Sequence, residues 1–339
     1  MKILGFVLLL GSLSACSHSA SQKSLSMSDY LLAQGARQIT QSGDNDEPQF
    51  SNDGQRLLFS SSLRVSHKSW QVYEYDFINN RERRVTFSDG DATSPSYMSD
   101  RELIYASTTD EIKERPLQGT GNSNLPPSDI YMSDLYGNEI TRLVNNPGFD
   151  GDPEFIPQTP KPFVIFSSKR NSHGAGIYRL DLGTLTTTLI SSEKGKDKRF
   201  PVMSPDRGSL VWIEKNPQTK EDNLVLYKLG SKVPLVLKQG EGQYQSLFFA
   251  HRPPQRIFYS ILRSGEKQHR LESYNLETQC TQILFTGKES LYSPSVSNQL
   301  QERLAFSRDL QDRRQIYVAP MPQEIGPCLE GTSQASLKE

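Results

Sequence analysis

Pro48-Gln49-Phe50-Ser51-Asn52-Asp53-Gly54, then Leu57-Leu58-Phe59-Ser60, then Val72-Tyr73-Glu74-Tyr75-Asp76, is the phrase on which the fold turns. Short runs of β-branched and aromatic residues bounded by Pro, Asn, Asp and Gly read as strands joined by tight turns. The phrase returns as Pro95-Ser96-Tyr97, Leu103-Ile104-Tyr105 and Ile130-Tyr131-Met132. A third copy is Pro153-Glu154-Phe155, Val164-Ile165-Phe166 and Ile177-Tyr178-Arg179, and a fourth is Pro201-Val202-Met203, Leu210-Val211-Trp212 and Leu226-Tyr227-Lys228. The fifth is degenerate: Ser246 stands where proline is expected, ahead of Ile257-Phe258-Tyr259 and Ser273-Tyr274-Asn275. The sixth reads Pro294-Ser295-Val296, Leu304-Ala305-Phe306 and Ile316-Tyr317-Val318.

The third-strand tyrosines fall at 73, 131, 178, 227, 274 and 317, in steps of 58, 47, 49, 47 and 43. Four short apolar runs per unit, at a period of about 45 residues, are the pattern of a β-propeller blade. The expected fold is therefore all-β, a six-bladed propeller of four-stranded blades over residues 37–321. The long step holds an insertion from Lys113 to Pro127, whose Gly, Pro, Ser and Asn content marks an exposed loop, particular to this chain and expected to touch a partner. The last repeat stops at its third strand, Gln315 to Ala319. Arg37-Gln38-Ile39-Thr40 matches the outer-strand phrases Arg84-Val85-Thr86 and Thr141-Arg142-Leu143. The N-terminal segment should thus supply the outer strand of the last blade, closing the ring and covering an edge.

Taken whole, the repeat runs as an acidic stretch, Pro-x-Phe-Ser-x-Asp-Gly, an apolar strand ending in Phe-x-Ser, and Ile-Tyr-x-x-Asp. It resembles the TolB-type propeller repeat over essentially all of residues 37–321. That resemblance implies a partner that is an envelope protein or a peptidoglycan-associated lipoprotein. TolB carries an α/β domain before its propeller, whereas only a short tether precedes the first strand here, so the resemblance is to the propeller alone. The motif is specific for fold and weak for function, because one propeller hosts many activities.

The 339 residues carry 38 Lys+Arg against 39 Asp+Glu, a net charge of −1, and are 35% hydrophobic. So low an apolar fraction argues against a thick helical core and excludes a multi-span membrane protein. Balanced charge gives no reason to expect nucleic acid. Met1-Lys2 followed by the apolar run Ile3 to Gly11 reads as a secretory signal over 1–15. Leu13-Ser14-Ala15-Cys16 resembles the bacterial lipobox, which makes Cys16 the lipidated N-terminus. The competing reading is an ordinary signal peptide with Cys16 incidental. Residues 16–36 form the lipidated Cys and a Ser-rich flexible tether, in which Ser28 caps a short helix over 29–34. Ser17 after the Cys implies the outer membrane in the sorting rule of enteric-type bacteria. The expected location is the periplasmic side of that membrane, held by lipid, with residues 322–339 as a C-terminal tail.

Strand order puts the loops that lead into the inner strands on one face with the loops joining second to third strands. The first set carries Asp44, Asp46, Glu47, Asp89, Asp91, Asp150 and Asp152, then Asp197, Glu241 and Glu289. The second carries Arg64, Lys169, Arg170, Lys215, Arg263 and Arg308. Opposite charges thus ring one channel mouth. They form a docking face for a protein segment, a holder for a cation on the Asp residues, or pairs that keep neighbouring blades in register. No calcium-loop spacing is present, so no cation site is assigned. Of the five histidines, His67, His173 and His269 fall in equivalent loops of alternate blades, while His18 and His251 stand apart. These loops lie away from the axis, so no metal or other cofactor is expected. No Gly-x-Ser-x-Gly and no phosphate-cradling loop occurs. The function expected is a protein-interaction module, with a hydrolase or lyase of envelope peptides or glycans as the alternative. Once Cys16 is lipidated, Cys280 and Cys328 remain; in an oxidising periplasm they most simply pair, stapling the tail to blade five, the alternative being two thiols.

Overall fold

Leu57, Leu58 and Phe59 are all fully buried, although successive side chains of a strand point to opposite faces. A strand apolar on both faces needs cover on both sides. In the computed structural model, Leu57 and Phe59 pack with Ala305, Ile316 and Val318 of the last repeat, and Leu58 packs with Leu103 and Tyr105 of the second. The same division recurs in every second strand. It gives six apolar clusters, one between each pair of neighbouring blades.

The structure describes residues 35–109, 125–157, 160–170, 174–216, 218–322 and 327–329. The signal, Cys16, the tether with its short helix, His18, most of the 113–127 insertion, His173 and the tail beyond 329 lie outside the described residues. The described chain forms six four-stranded antiparallel sheets. The inner strands are Asp44–Phe50, Ala92–Tyr97, Asp150–Ile156, Asp197–Met203, Gly242–Phe249 and Leu291–Val296. The outer strands of blades one to five are Arg81–Arg84, Thr141–Arg142, Thr186–Ser191, Leu235–Gln239 and Cys280–Phe285.

Blade six takes its outer strand from the N-terminal segment. Arg37–Gln38 pairs antiparallel with Arg313–Pro320, with Arg37 opposite Val318 and Gln38 opposite Tyr317. The strand is two residues long rather than the four expected. After Gln38, the chain is held by Ile39 donating its N–H to the Ile316 carbonyl at 2.9 Å, and then by the Thr40 side chain. The buried Thr40 hydroxyl donates to Gln315 Oε1 at 2.8 Å and accepts the Ile316 N–H at 2.9 Å. Thr86 makes the same two bonds in blade one, to Gln71 at 3.0 Å and from the Val72 N–H at 2.8 Å. The likeness of Ile39-Thr40 to Val85-Thr86 in sequence therefore reflects one shared clasp. On blade five, Cys280 and Cys328 form a disulfide with Cα atoms 5.4 Å apart, and Leu329 bridges antiparallel to Thr281.

Thr40→Val removes a partner from two buried polar groups at the seam and should cost about 1–3 kcal/mol of unfolding free energy in urea titrations. Deleting residues 37–40 should lower the melting temperature further. Unchanged urea midpoints in both variants would show that the ring does not depend on this seam.

Candidate functional site

The inner strands line the axis, and each breaks its ladder at one place. Glu47, Ser94, Asp152, Phe200, Ser246 and Ser293 all have positive φ, between 47° and 56°. In five blades the next residue is a proline, which has no N–H to give the ladder, and the register shifts there. In blade five the ladder resumes at once, Leu247 pairing with Tyr259. The residue at the proline position is thus Leu247, correcting the sequence expectation of Ser246. A leucine keeps its N–H in the ladder, so this bulge is one residue shorter.

The bulges of blades one, three and six each turn a polar group toward the next blade. Glu47 accepts the Ser94 N–H at 2.6 Å, the Ser94 hydroxyl at 3.0 Å and the Ser60 hydroxyl at 2.7 Å. Asp152 accepts the Phe200 N–H at 3.1 Å and the Arg199 fork at 2.6 and 2.9 Å. Asp46 accepts the hydroxyls of Ser293 and Ser307, at 2.7 and 2.6 Å, and pairs with Arg314. Burial pushes the Asp152 carboxyl up, but the Arg199 charge and its hydrogen bonds outweigh it and hold the group below its ordinary value. Glu47 has no such cation bonded to it, and burial, with Asp46 beside it, raises its carboxyl.

The acidic residues that lead into inner strands hook the preceding blade. Asp44 accepts the Arg314 N–H, Asp91 the Trp70 N–H and Asp197 the Ala175 N–H, each at 2.8 Å. The basic residues at the ends of second strands pair within their own blades. Arg170 meets Asp150 at 3.0 Å, Arg308 meets Glu289 at 3.0 Å, and Arg64 meets Glu82 at 2.5 Å and Asn45 at 3.0 Å. Arg263 bridges Glu241 at 3.0 Å and Glu272 at 2.7 Å, and Lys215 meets Asp222 at 3.0 Å. Burial pushes the Asp150 carboxyl up to about 6 against the pull of Arg170. Asp89 stays exposed. The residues expected at the mouth are there, and most are spent on one another.

At the mouth, the ion pairs between blades use Arg199 and Arg314, which spacing in the sequence did not single out. Arg199 had a readable signal. It lies two residues before Pro201, the place that Asp46 holds before Pro48, so blade four offers a cation where blade one offers an anion.

From this ring the axial channel runs toward the hairpins, enclosing about 510 Å³. Met98, Phe155, Phe200, Leu247 and Phe248 give it apolar walls, and the basic side chains on its lining are Arg207 and His251. Glu154 also lines it, accepting the Met203 N–H at 2.8 Å. Burial pushes the Glu154 carboxyl up to about 8, and that one hydrogen bond lowers it only partly. The channel therefore presents a carboxyl group that holds its proton more tightly than usual, suited to donating a hydrogen bond.

Each described histidine packs against an aromatic neighbour. His67 bonds to Tyr73 Oη at 2.9 Å and to the Ser69 carbonyl at 2.8 Å. His269 lies against the Tyr292 ring, and burial, with Lys215 nearby, lowers it to about 4. His251 packs on Phe248. Among the described residues no group of three His, Cys, Asp or Glu side chains is placed to hold a metal ion.

No family model matches the chain, and no curated protein matches it in sequence. Solved structures do match in fold. TolB from Acinetobacter baumannii superposes with a TM-score of 0.60 at 16% identity, over 76% of this chain. This chain spans 58% of that TolB's length. An oligogalacturonate lyase in complex with manganese matches with a TM-score of 0.54 at 12% identity, covering 85% of this chain and 93% of the lyase. A putative TolB from Agrobacterium tumefaciens matches with 0.53 at 12% identity, covering 84% and 94%. The fold is thus that of a TolB-like six-bladed propeller.

Two measurements test the site. Arg199→Ala leaves the Asp152 carboxylate buried without its cation and should cost about 3–5 kcal/mol in chemical denaturation. The Asp152→Ala, Arg199→Ala double variant should lose less than the sum of the two singles. Glu154 titrates at about 4.3 when unfolded. With its folded value raised to about 8, the stability carried by its proton is complete below the unfolded value and is lost as pH rises through the folded one. Melting curves of Glu154→Gln should match wild type near pH 4 and lie above it near pH 9. Parallel curves at every pH would contradict the assignment.

Proposed function

We propose that this chain is a protein-interaction module of the cell envelope whose channel face receives a segment of a partner. The observation that carries this reading is the channel itself: a cavity of about 510 Å³ with apolar walls, a few carboxyl groups and a mouth braced by ion pairs. A concave apolar site with few polar groups, set in a rigid frame, is the arrangement that binding sites favour. The TolB-like fold supports a partner that is an envelope protein or a peptidoglycan-associated lipoprotein. The Leu13-Ser14-Ala15-Cys16 sequence supports a lipid anchor on the periplasmic side of the outer membrane. The Cys280–Cys328 bridge agrees with an oxidising compartment.

The alternative, a hydrolase or lyase of envelope peptides or glycans, draws support from the match to a manganese-bound lyase. The described residues offer that chemistry no converging ligand set.

Photocrosslinkers placed at Met98 and Phe155 should capture one envelope protein in intact cells. Gln49→Trp, which places an indole in the channel, should weaken capture with little change in melting temperature. Undiminished capture in Gln49→Trp would remove the channel from the reading. Turnover of a peptide or glycan by the pure protein, with nothing captured, would establish the alternative instead. Cys16→Ala should move the protein from the membrane to the soluble fraction.

A further inference from the structure

The outer strand of a blade presents a row of backbone donors and acceptors that can template another strand, and proteins shield such edges. Blade one is shielded by charge, since its outer strand is Arg81-Glu82-Arg83-Arg84. Blades two and six end in strands of two residues, Thr141–Arg142 and Arg37–Gln38. Blade four carries Lys238 within Leu235–Gln239. Blade five has a charge-free outer strand, Cys280–Phe285, and the chain covers it with its own tail through the Thr281–Leu329 bridge and the disulfide.

Blade three is different. Its outer strand Thr186–Ser191 is six residues long and carries no charge, and no charged residue occurs from Leu182 to Ser192. No strand pairs with its outer edge among the described residues. Leu185 and Leu189 are 55% and 52% exposed. On the adjacent blade four, Leu235 and Val236 are also exposed. Of the two charge-free edges in this ring, one is covered by the chain's own tail and the other is left uncovered by the described residues.

We propose that a second copy of this chain covers that edge, the two blade-three outer strands pairing antiparallel about a twofold axis. The choice of occupant rests on the sequence of the edge. Thr186-Thr187-Thr188 reads the same in both directions, and it is flanked by the exposed Leu189 in the strand and the exposed Leu185 in the preceding turn. An antiparallel pair centred on Thr187 sets each Thr186 against a Thr188 and Thr187 against itself, and brings each Leu189 beside the turn that carries Leu185 of the other copy. That is the self-complementarity a twofold contact requires. Threonine cross-strand pairs are favourable, and no like charges meet along Thr186–Leu189 in this register. The same operation on blade one would set arginine against arginine.

Sedimentation velocity on the purified chain, with its disulfide intact, should show a monomer–dimer equilibrium at micromolar concentrations. Leu189→Lys and Thr187→Lys should each weaken the dimer by about tenfold or more, because like charges then face each other across the axis. Both sites lie on an outer edge, so the melting temperature of the monomer should stay within a few degrees. Thr187→Cys should give a disulfide-linked dimer under mild oxidation, and Thr141→Cys on the edge of blade two should not. A chain that stays monomeric, a dimer that survives both lysine variants, or equal crosslinking from Thr141→Cys would each overturn the proposal.

Discussion

The two-sided apolar second strand is the constraint from which the rest follows. Leu58 cannot be buried by the blade that buries Leu57, so every blade needs a neighbour on each side. A row of such blades would leave two apolar faces in water; a ring leaves none. Closure then depends on covalent supply. The last blade has three strands of its own, and the fourth must come from the other end of the chain, at Arg37–Gln38. The 35% apolar content suits this plan, since thin interfaces between small sheets need fewer apolar residues than one thick core.

Closing the ring brings six inner strands together at the axis, where side chains and backbone compete for little space. A proline interrupts the ladder in five blades, and the residue at the break is held at positive φ in all six. The polar groups released there are satisfied across the blade boundary, by Glu47 to Ser94, Asp152 to Phe200 and Glu154 to Met203. The near-zero net charge of the chain is thereby explained at the mouth: acids and bases are present together because they bond to each other. Asp152 and Glu154 stand two residues apart, yet their carboxyls are displaced in opposite directions. Arg199 is the difference, since it reaches the first and not the second.

Repeats are legible because the same burial problem is solved six times with the same residue types. The positions of the blades, the seam and the charged mouth could all be read that way. Blade five was misaligned by one residue because Leu247 hides the proline signal, and only the positive φ of Ser246 marks the place. Which charge pairs with which was not legible. Arg170 and Arg263 sit at equivalent ends of second strands, yet one bonds a single carboxylate and the other two. Such choices depend on side-chain reach across a strand, which sequence spacing does not encode.

The sequence by itself determined the fold, because alternation, turn residues and a period near 45 residues admit one closed solution. It also determined which residues could meet at the mouth. Only the tertiary structure decided which charges neutralise one another, that burial raises the Glu154 carboxyl in the channel behind them, and that the described residues leave one charge-free blade edge uncovered. Those outcomes depend on burial and on distances of a few ångströms between residues of different blades, and ring closure alone sets them.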